Sequence, residues 1–201
     1  MLRQRYWIST GGIIGFLLLM FSFHFASESY SASAADDPDR NAESIRAFAT
    51  VASVLTSPRC VNCHIPGDSP LQGDDGTPHN MNVRRGPDGR GTPAMRCANC
   101  HQSENSLTPH APPGARDWRL PPASTPMAWR GLSTGDLCRT LKDPAKNAGR
   151  TLQQLVEHFE TERLVLWAWN PGPGRMPPPI SHDEFVARVK EWIGTGGVCA
   201  Q

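Results

Sequence analysis

Two pentapeptides, Cys60-Val61-Asn62-Cys63-His64 and Cys97-Ala98-Asn99-Cys100-His101, repeat the pattern C-x-x-C-H in this 201-residue chain. Two thiols at this spacing reach the two vinyl groups on one edge of a porphyrin and form thioethers, while the adjacent imidazole turns onto the iron, the attachment chemistry of a c-type haem. A zinc site built from the same cysteine pairs would leave both histidines as surplus ligands. A redox dithiol would need a strand and helix context that the flanking sequence lacks. The expectation is therefore two covalently bound c-type haems, held by Cys60, Cys63, Cys97 and Cys100, with His64 and His101 as proximal iron ligands. The second motif follows the first too closely for each haem to have a conventional domain of its own, so both share one shell.

That shell cannot be a large apolar core. Only 38% of residues are hydrophobic and 7% aromatic, while 19 Pro and 18 Gly disfavour a regular sheet or a long bundle. Porphyrin surface would supplement such a core. Twenty Lys and Arg against 19 Asp and Glu leave a net charge of +1, which gives no electrostatic case for nucleic acid or an anionic membrane.

Residues 1–34 read as a secretory signal peptide: Arg3 and Arg5 precede an apolar stretch from Ile13 to Phe25, and Ala32-Ser33-Ala34 fits a cleavage site. An uncleaved membrane anchor is the alternative, although the apolar core is short for a span. The mature protein is expected to be periplasmic, without a membrane span. Residues 35–42 read as a polar tether and 43–201 as one domain, mainly α with extensive coil and few or no strands.

Helical periodicity over Glu43 to Ser57 places Ile45, Phe48, Ala52 and Leu55 on one face and ends at Pro58. Residues 66–93 carry turn signals and read as a long loop, of the kind that is functional or disordered, and 103–126 is a second irregular, proline-rich stretch. Three later helices are announced by Ser133 with Asp136, Thr151 with Gln154, and Ser181 with Glu184. Cys138 and Cys199 stand outside both motifs, and in an exported protein are expected to form a disulfide closing a loop of about 60 residues. Trp167, Trp169 and Trp192 fill the core or shield a haem edge.

The second axial ligands have eight candidates: His79, His110, His158, His182, Met81, Met95, Met127 and Met176. His79 lies on the loop between the motifs, where it can fold back over a porphyrin. His158 flanks the apolar face of Leu155 and Phe159. These two are the expected distal pair. Met176 and His110 are the alternatives: Gly174-Arg175-Met176-Pro177-Pro178 ahead of a capped helix looks like the distal-methionine loop of small cytochromes c, and His110 repeats the Thr-Pro-His tripeptide of His79. His182 reads as a helix-start residue.

The chain resembles the bacterial dihaem c-type cytochromes of the multihaem group. Pro70-Leu71-Gln72-Gly73, Val83-Arg84-Arg85-Gly86, Met95-Arg96-Cys97, Met127-Ala128-Trp129 and Leu164-Val165-Leu166-Trp167-Ala168-Trp169-Asn170-Pro171-Gly172 look like a family labelled isoquinoline 1-oxidoreductase subunit. The resemblance implies a redox partner such as a periplasmic molybdenum hydroxylase or another dehydrogenase, and a role accepting its electrons, since no pterin-binding or substrate-oxidising motif is present. A dihaem peroxidase with one open iron is the enzymatic alternative, and a haem-based sensor is a third reading.

Overall fold

The computed structural model describes residues 37–201, and the signal peptide read over 1–34 lies outside them. Asp37 caps the first helix, α1 (Pro38–Leu55), by accepting from the backbone N–H groups of Asp39 and Arg40. Pro38 suits this first position because its missing N–H would have had no helical partner. Residues 38–42, read as tether, are therefore the first turn of α1. Its buried face carries Ala47, Phe48, Val51, Ala52, Val54 and Leu55.

A one-turn helix, α2 (Pro58–Val61), delivers Cys60, and the chain then runs almost without regular structure to Ser133. Two short antiparallel ladders interrupt it. They pair β1 (Leu71–Gln72) with β2 (Thr77–Pro78), and β3 (Gly91–Thr92) with β4 (Met95–Arg96). Such two-residue strands leave no alternation to detect in a sequence.

The regular C-terminal half comprises α3 (Thr134–Lys142), α4 (Leu152–Thr161), α5 (Arg163–Trp167) and α6 (His182–Gly194). Ser133 and Ser181 cap α3 and α6, and Thr151 with Gln154 forms the full reciprocal capping box of α4. Glu162 ends α4 and caps α5 through its side chain, a junction without a glycine or proline to announce it. The fold is mainly α, and among the described residues no helix is long and apolar enough to cross a membrane.

α1 packs chiefly on α6, with α3 beside α1 and α4 beside α6. Phe48 meets Trp192 at a ring separation of 4.7 Å, and Phe159 meets Phe185 at 5.1 Å. Ser44 is fully buried in α1, donating to the Trp192 carbonyl at 3.1 Å and accepting the Val198 N–H at 2.9 Å. A disulfide joins Cys138 to Cys199, with Cα atoms 5.6 Å apart, and ties the terminal tail to α3.

Coil is held in place by a different device. Arg85 is 1% exposed and donates to three carbonyls, those of Pro121, Gly67 and Ile65, at 2.7, 2.7 and 3.2 Å. One guanidinium thus fastens the segment after the first motif to the loop ahead of Trp129. Gly89 lets the same region close up: it has φ +77°, and a Cβ there would lie 2.1 Å from the Leu120 carbonyl oxygen.

Candidate functional site

The two C-x-x-C-H segments sit in unrelated surroundings, one on α2 and one on a single 3-10 turn over Cys97–Asn99, yet they fold alike. In the first, the Cys60 carbonyl accepts the N–H groups of Cys63 and His64 at 3.1 and 3.0 Å. In the second, the Cys97 carbonyl accepts those of Cys100 and His101 at 3.1 and 2.9 Å. One tight turn therefore gathers both thiols and the imidazole in each case. All four thiols are free of disulfides.

The imidazoles are also held alike. His64 Nδ1 lies 2.9 Å from the Met127 carbonyl oxygen, and His101 Nδ1 lies 2.7 Å from that of Pro113. A carbonyl only accepts, so each Nδ1 carries the proton and each Nε2 keeps its lone pair for a metal. A tryptophan covers each ring. Trp129 stacks on His64 at 3.5 Å between ring centres with 2° between planes, and Trp118 stacks on His101 at 4.5 Å and 5°.

Burial sets the protonation of these groups. It pushes the Cys60 thiol up to about 12 and Cys63 to about 11, and raises Cys97. It lowers His64 to about 4 and lowers His101 below the usual imidazole range. Neutral imidazoles are the form that ligates iron. Cys97 lies close enough to Cys63 to oppose its ionisation, so the motifs are neighbours across the loop that separates them in sequence.

Of the expected distal histidines, His79 lies beside the second motif. The His79 ring centre is 6.0 Å from that of His101, and its Nδ1 is engaged by the Asn80 carbonyl at 2.8 Å, which again leaves Nε2 free. His158, lowered chiefly by burial, is near enough to His64 to oppose its protonation.

The other candidates have other surroundings. Met176 is 66% exposed, and its backbone N–H donates to the Asp74 carboxylate. His110 is exposed, and its ring rests on the backbone of Gly174, where a Cβ would come within 2.7 Å of it. His182 is the first residue of α6, and its Nε2 lies 2.8 Å from the Phe159 carbonyl oxygen. Met127 contributes its carbonyl to His64 and has φ +45°. Met81 is 70% exposed, and Met95 stands in β4.

Trp192 is core and Trp169 packs against it. Trp167 has a different environment. It meets Trp118 edge to face at 4.8 Å, donates through Nε1 to Asn105, and lies under the Arg59 guanidinium at 5.9 Å. Trp129 and the carbonyls of Met127 and Pro113 escaped the sequence reading as site groups. No local pattern marks a backbone carbonyl that a distant loop will bring to an imidazole.

Among the described residues, no three His, Cys, Asp or Glu side chains are grouped as a bare metal ion requires. A haem iron, already held by four porphyrin nitrogens, asks the protein for only one or two ligands. Comparison with protein-family models, with curated proteins and with solved structures found no match.

Proposed function

We propose that this chain is an exported dihaem c-type cytochrome that accepts single electrons from a dehydrogenase or molybdenum hydroxylase and passes them toward a respiratory chain. The observation that carries the reading is the repeated local geometry. In both motifs one cysteine carbonyl closes the turn, and a backbone carbonyl from a remote loop holds the histidine with Nε2 free. Motifs that used the histidine for nothing would not both need that hold.

When bound, each haem supplies an iron centre that takes up or releases one electron. The protein's part is to orient and to exclude water. Trp129 and Trp118 lock the imidazole planes, and burial keeps both rings neutral. The ring centre of His79 lies 6.0 Å from that of His101 and each ring keeps its Nε2 free, so this pair would be the one to hold the second iron. We assign His79 to the iron of His101 and His158 to the iron of His64. Irons held by two imidazoles each would suit electron transfer, whereas a peroxidase would need an open position.

The test is direct. Protein exported from a host able to attach c-type haem should contain two haems per chain by mass and by alkaline pyridine assay, with sharp α and β bands on dithionite reduction. A chain that carries no haem, or gives no such bands, overturns the proposal. His79→Ala should make the second iron high spin and open to carbon monoxide, His158→Ala the first, and Met176→Leu neither. A spectral change confined to Met176→Leu would replace the bis-histidine assignment with a histidine–methionine one.

A further inference from the structure

The loop that follows the second motif and the short helix α5 enclose an open groove of about 740 Å³. One side chain holds it together. Asn105 Oδ1 accepts the Gly114 N–H at 2.9 Å and the Trp167 Nε1–H at 3.0 Å, and the Asn105 amide donates to the Asn170 carbonyl at 2.7 Å. Gly114 lets the two sides of the loop close on that hub, since a Cβ there would lie 1.9 Å from the Glu104 carbonyl oxygen. The groove is therefore formed before anything enters it.

Its lining is that of an interface. Leu107 is 92% exposed and Leu166 40%, so two of the four large apolar side chains left exposed among the described residues stand on this one groove. Exposed apolar groups gathered at one place mark a surface that a partner covers. Arg116 and Arg163 line the same groove, exposed, and neither has an ion-pair or hydrogen-bond partner among the described residues. Glu104 is the one carboxylate on its walls. Arginine beside apolar side chains is the composition of protein interfaces, and unpaired guanidinium groups ask for carboxylates from the other side. A second groove shares Ser103, Ala115 and Arg116 with the first and reaches His101 and Trp118, so the two are continuous. There Arg90 and Arg96 are already paired, with Asp117 and Asp88.

Trp167 lines the groove and meets Trp118, which stacks on His101, so two rings in contact join the groove to the second imidazole. We infer that this groove docks a protein that presents an acidic patch and carries a one-electron centre, and that this partner reduces the second haem. The inference rests on the dihaem reading and goes beyond it, because it names the face that meets the electron donor and the chemistry of the donor's surface. In the step itself the partner's reduced centre loses one electron and the ferric second iron gains it. No bond forms or breaks, and no proton moves.

The experiment uses flavodoxin, a small acidic one-electron protein, as the probe. Amide chemical shifts of the labelled, oxidised holoprotein are followed on adding oxidised flavodoxin, which does not react, and stopped flow follows its reduction by flavodoxin hydroquinone across ionic strengths. The shifts should map to residues 103–116 and 163–173. Arg116→Glu/Arg163→Glu should lower the second-order rate constant about tenfold at low ionic strength, and the gap should close in high salt. Arg46→Glu/Lys190→Glu, an equal change of net charge on α1 and α6, should lower it far less. Leu107→Ser should weaken the binding seen by the shifts. All these positions are exposed, so the variants keep the fold. Equal rates for the groove and control variants, or shifts confined to other faces, overturn the inference while leaving the dihaem reading intact. Sedimentation that shows a dimer dissociated by Leu107→Ser gives the groove to a second copy of the chain and also overturns it. A wild-type chain without two haems overturns the dihaem reading itself, and this inference with it.

Discussion

An imidazole that gives its Nδ1 proton to a carbonyl has one nitrogen left to offer, and its affinity for protons depends on what surrounds the ring. His64 is stacked under Trp129, and burial lowers it from 6.5 to about 4. The folded protein therefore prefers the neutral ring, and protons compete for Nε2 only as pH falls through about 4. In the haem-free protein His64 should stay neutral until the pH falls through about 4, as an NMR titration of its ring protons would read. Trp129→Leu lets water reach the ring and should move the acid transition upward, toward the ordinary imidazole range. An acid transition at the same pH in both proteins would show that Trp129 does not set it. Arg85 illustrates the same dependence on surroundings. Arg85→Leu strands the carbonyls of Ile65, Gly67 and Pro121, and at 1.5–3 kcal/mol for a hydrogen bond to a charged group the loss should be on the order of 3 kcal/mol or more. Chemical denaturation measures it.

The helices were legible because their signals are local. Ser133, Thr151 and Ser181 cap where their spacing to an acidic residue or glutamine said they would, and the apolar faces of α1, α4 and α6 follow from periodicity. α5 and the two ladders were not legible. α5 is five residues long and the strands are two, too short for any period to register. What joins the helices is also non-local. Ser44 links α1 to the end of α6 and to the terminal tail, and Cys199 links that tail to α3. Ser44→Ala should cost about 1–3 kcal/mol, because it leaves the Val198 N–H without its partner, while the Trp192 carbonyl keeps the Gly197 N–H. Cys138→Ser/Cys199→Ser should cost about 4 kcal/mol for a loop of this length in the chain-entropy model. A reversible melt showing no loss in either variant would mean that α1 against α6 alone holds the tail.

The described residues form one compact unit in which a helical half stands beside a coil half carrying both motifs. The helical half has its own aromatic core, whereas the large buried apolar side chains of residues 62–133 are Ile65, Leu120 and Trp129 alone. Bound porphyrin would give that coil an apolar surface to order against. A variant with alanine at Cys60, Cys63, Cys97 and Cys100 should keep its helical far-ultraviolet signal but become open to proteolysis between residues 66 and 126. Equal protection with and without the cysteines would mean that Arg85 and its neighbours suffice to order the loops.

By itself the sequence determined what a local pattern long enough to recognise announces: the two C-x-x-C-H turns, the caps, the longer helical faces, and the pool of histidines and methionines that could serve as ligands. Cys138 and Cys199 were also identifiable, since they were the two cysteines that no motif used. Only the tertiary structure decided that His79 lies beside the second motif, which carbonyls orient His64 and His101, that tryptophans stack on both, and that Arg59 turns away from its own motif to meet Asp74. The physical reason is the long irregular path from Asn62 to Ser133. Coil has no repeat from which side-chain direction can be read, so the partners of its residues are fixed only when the chain closes on itself.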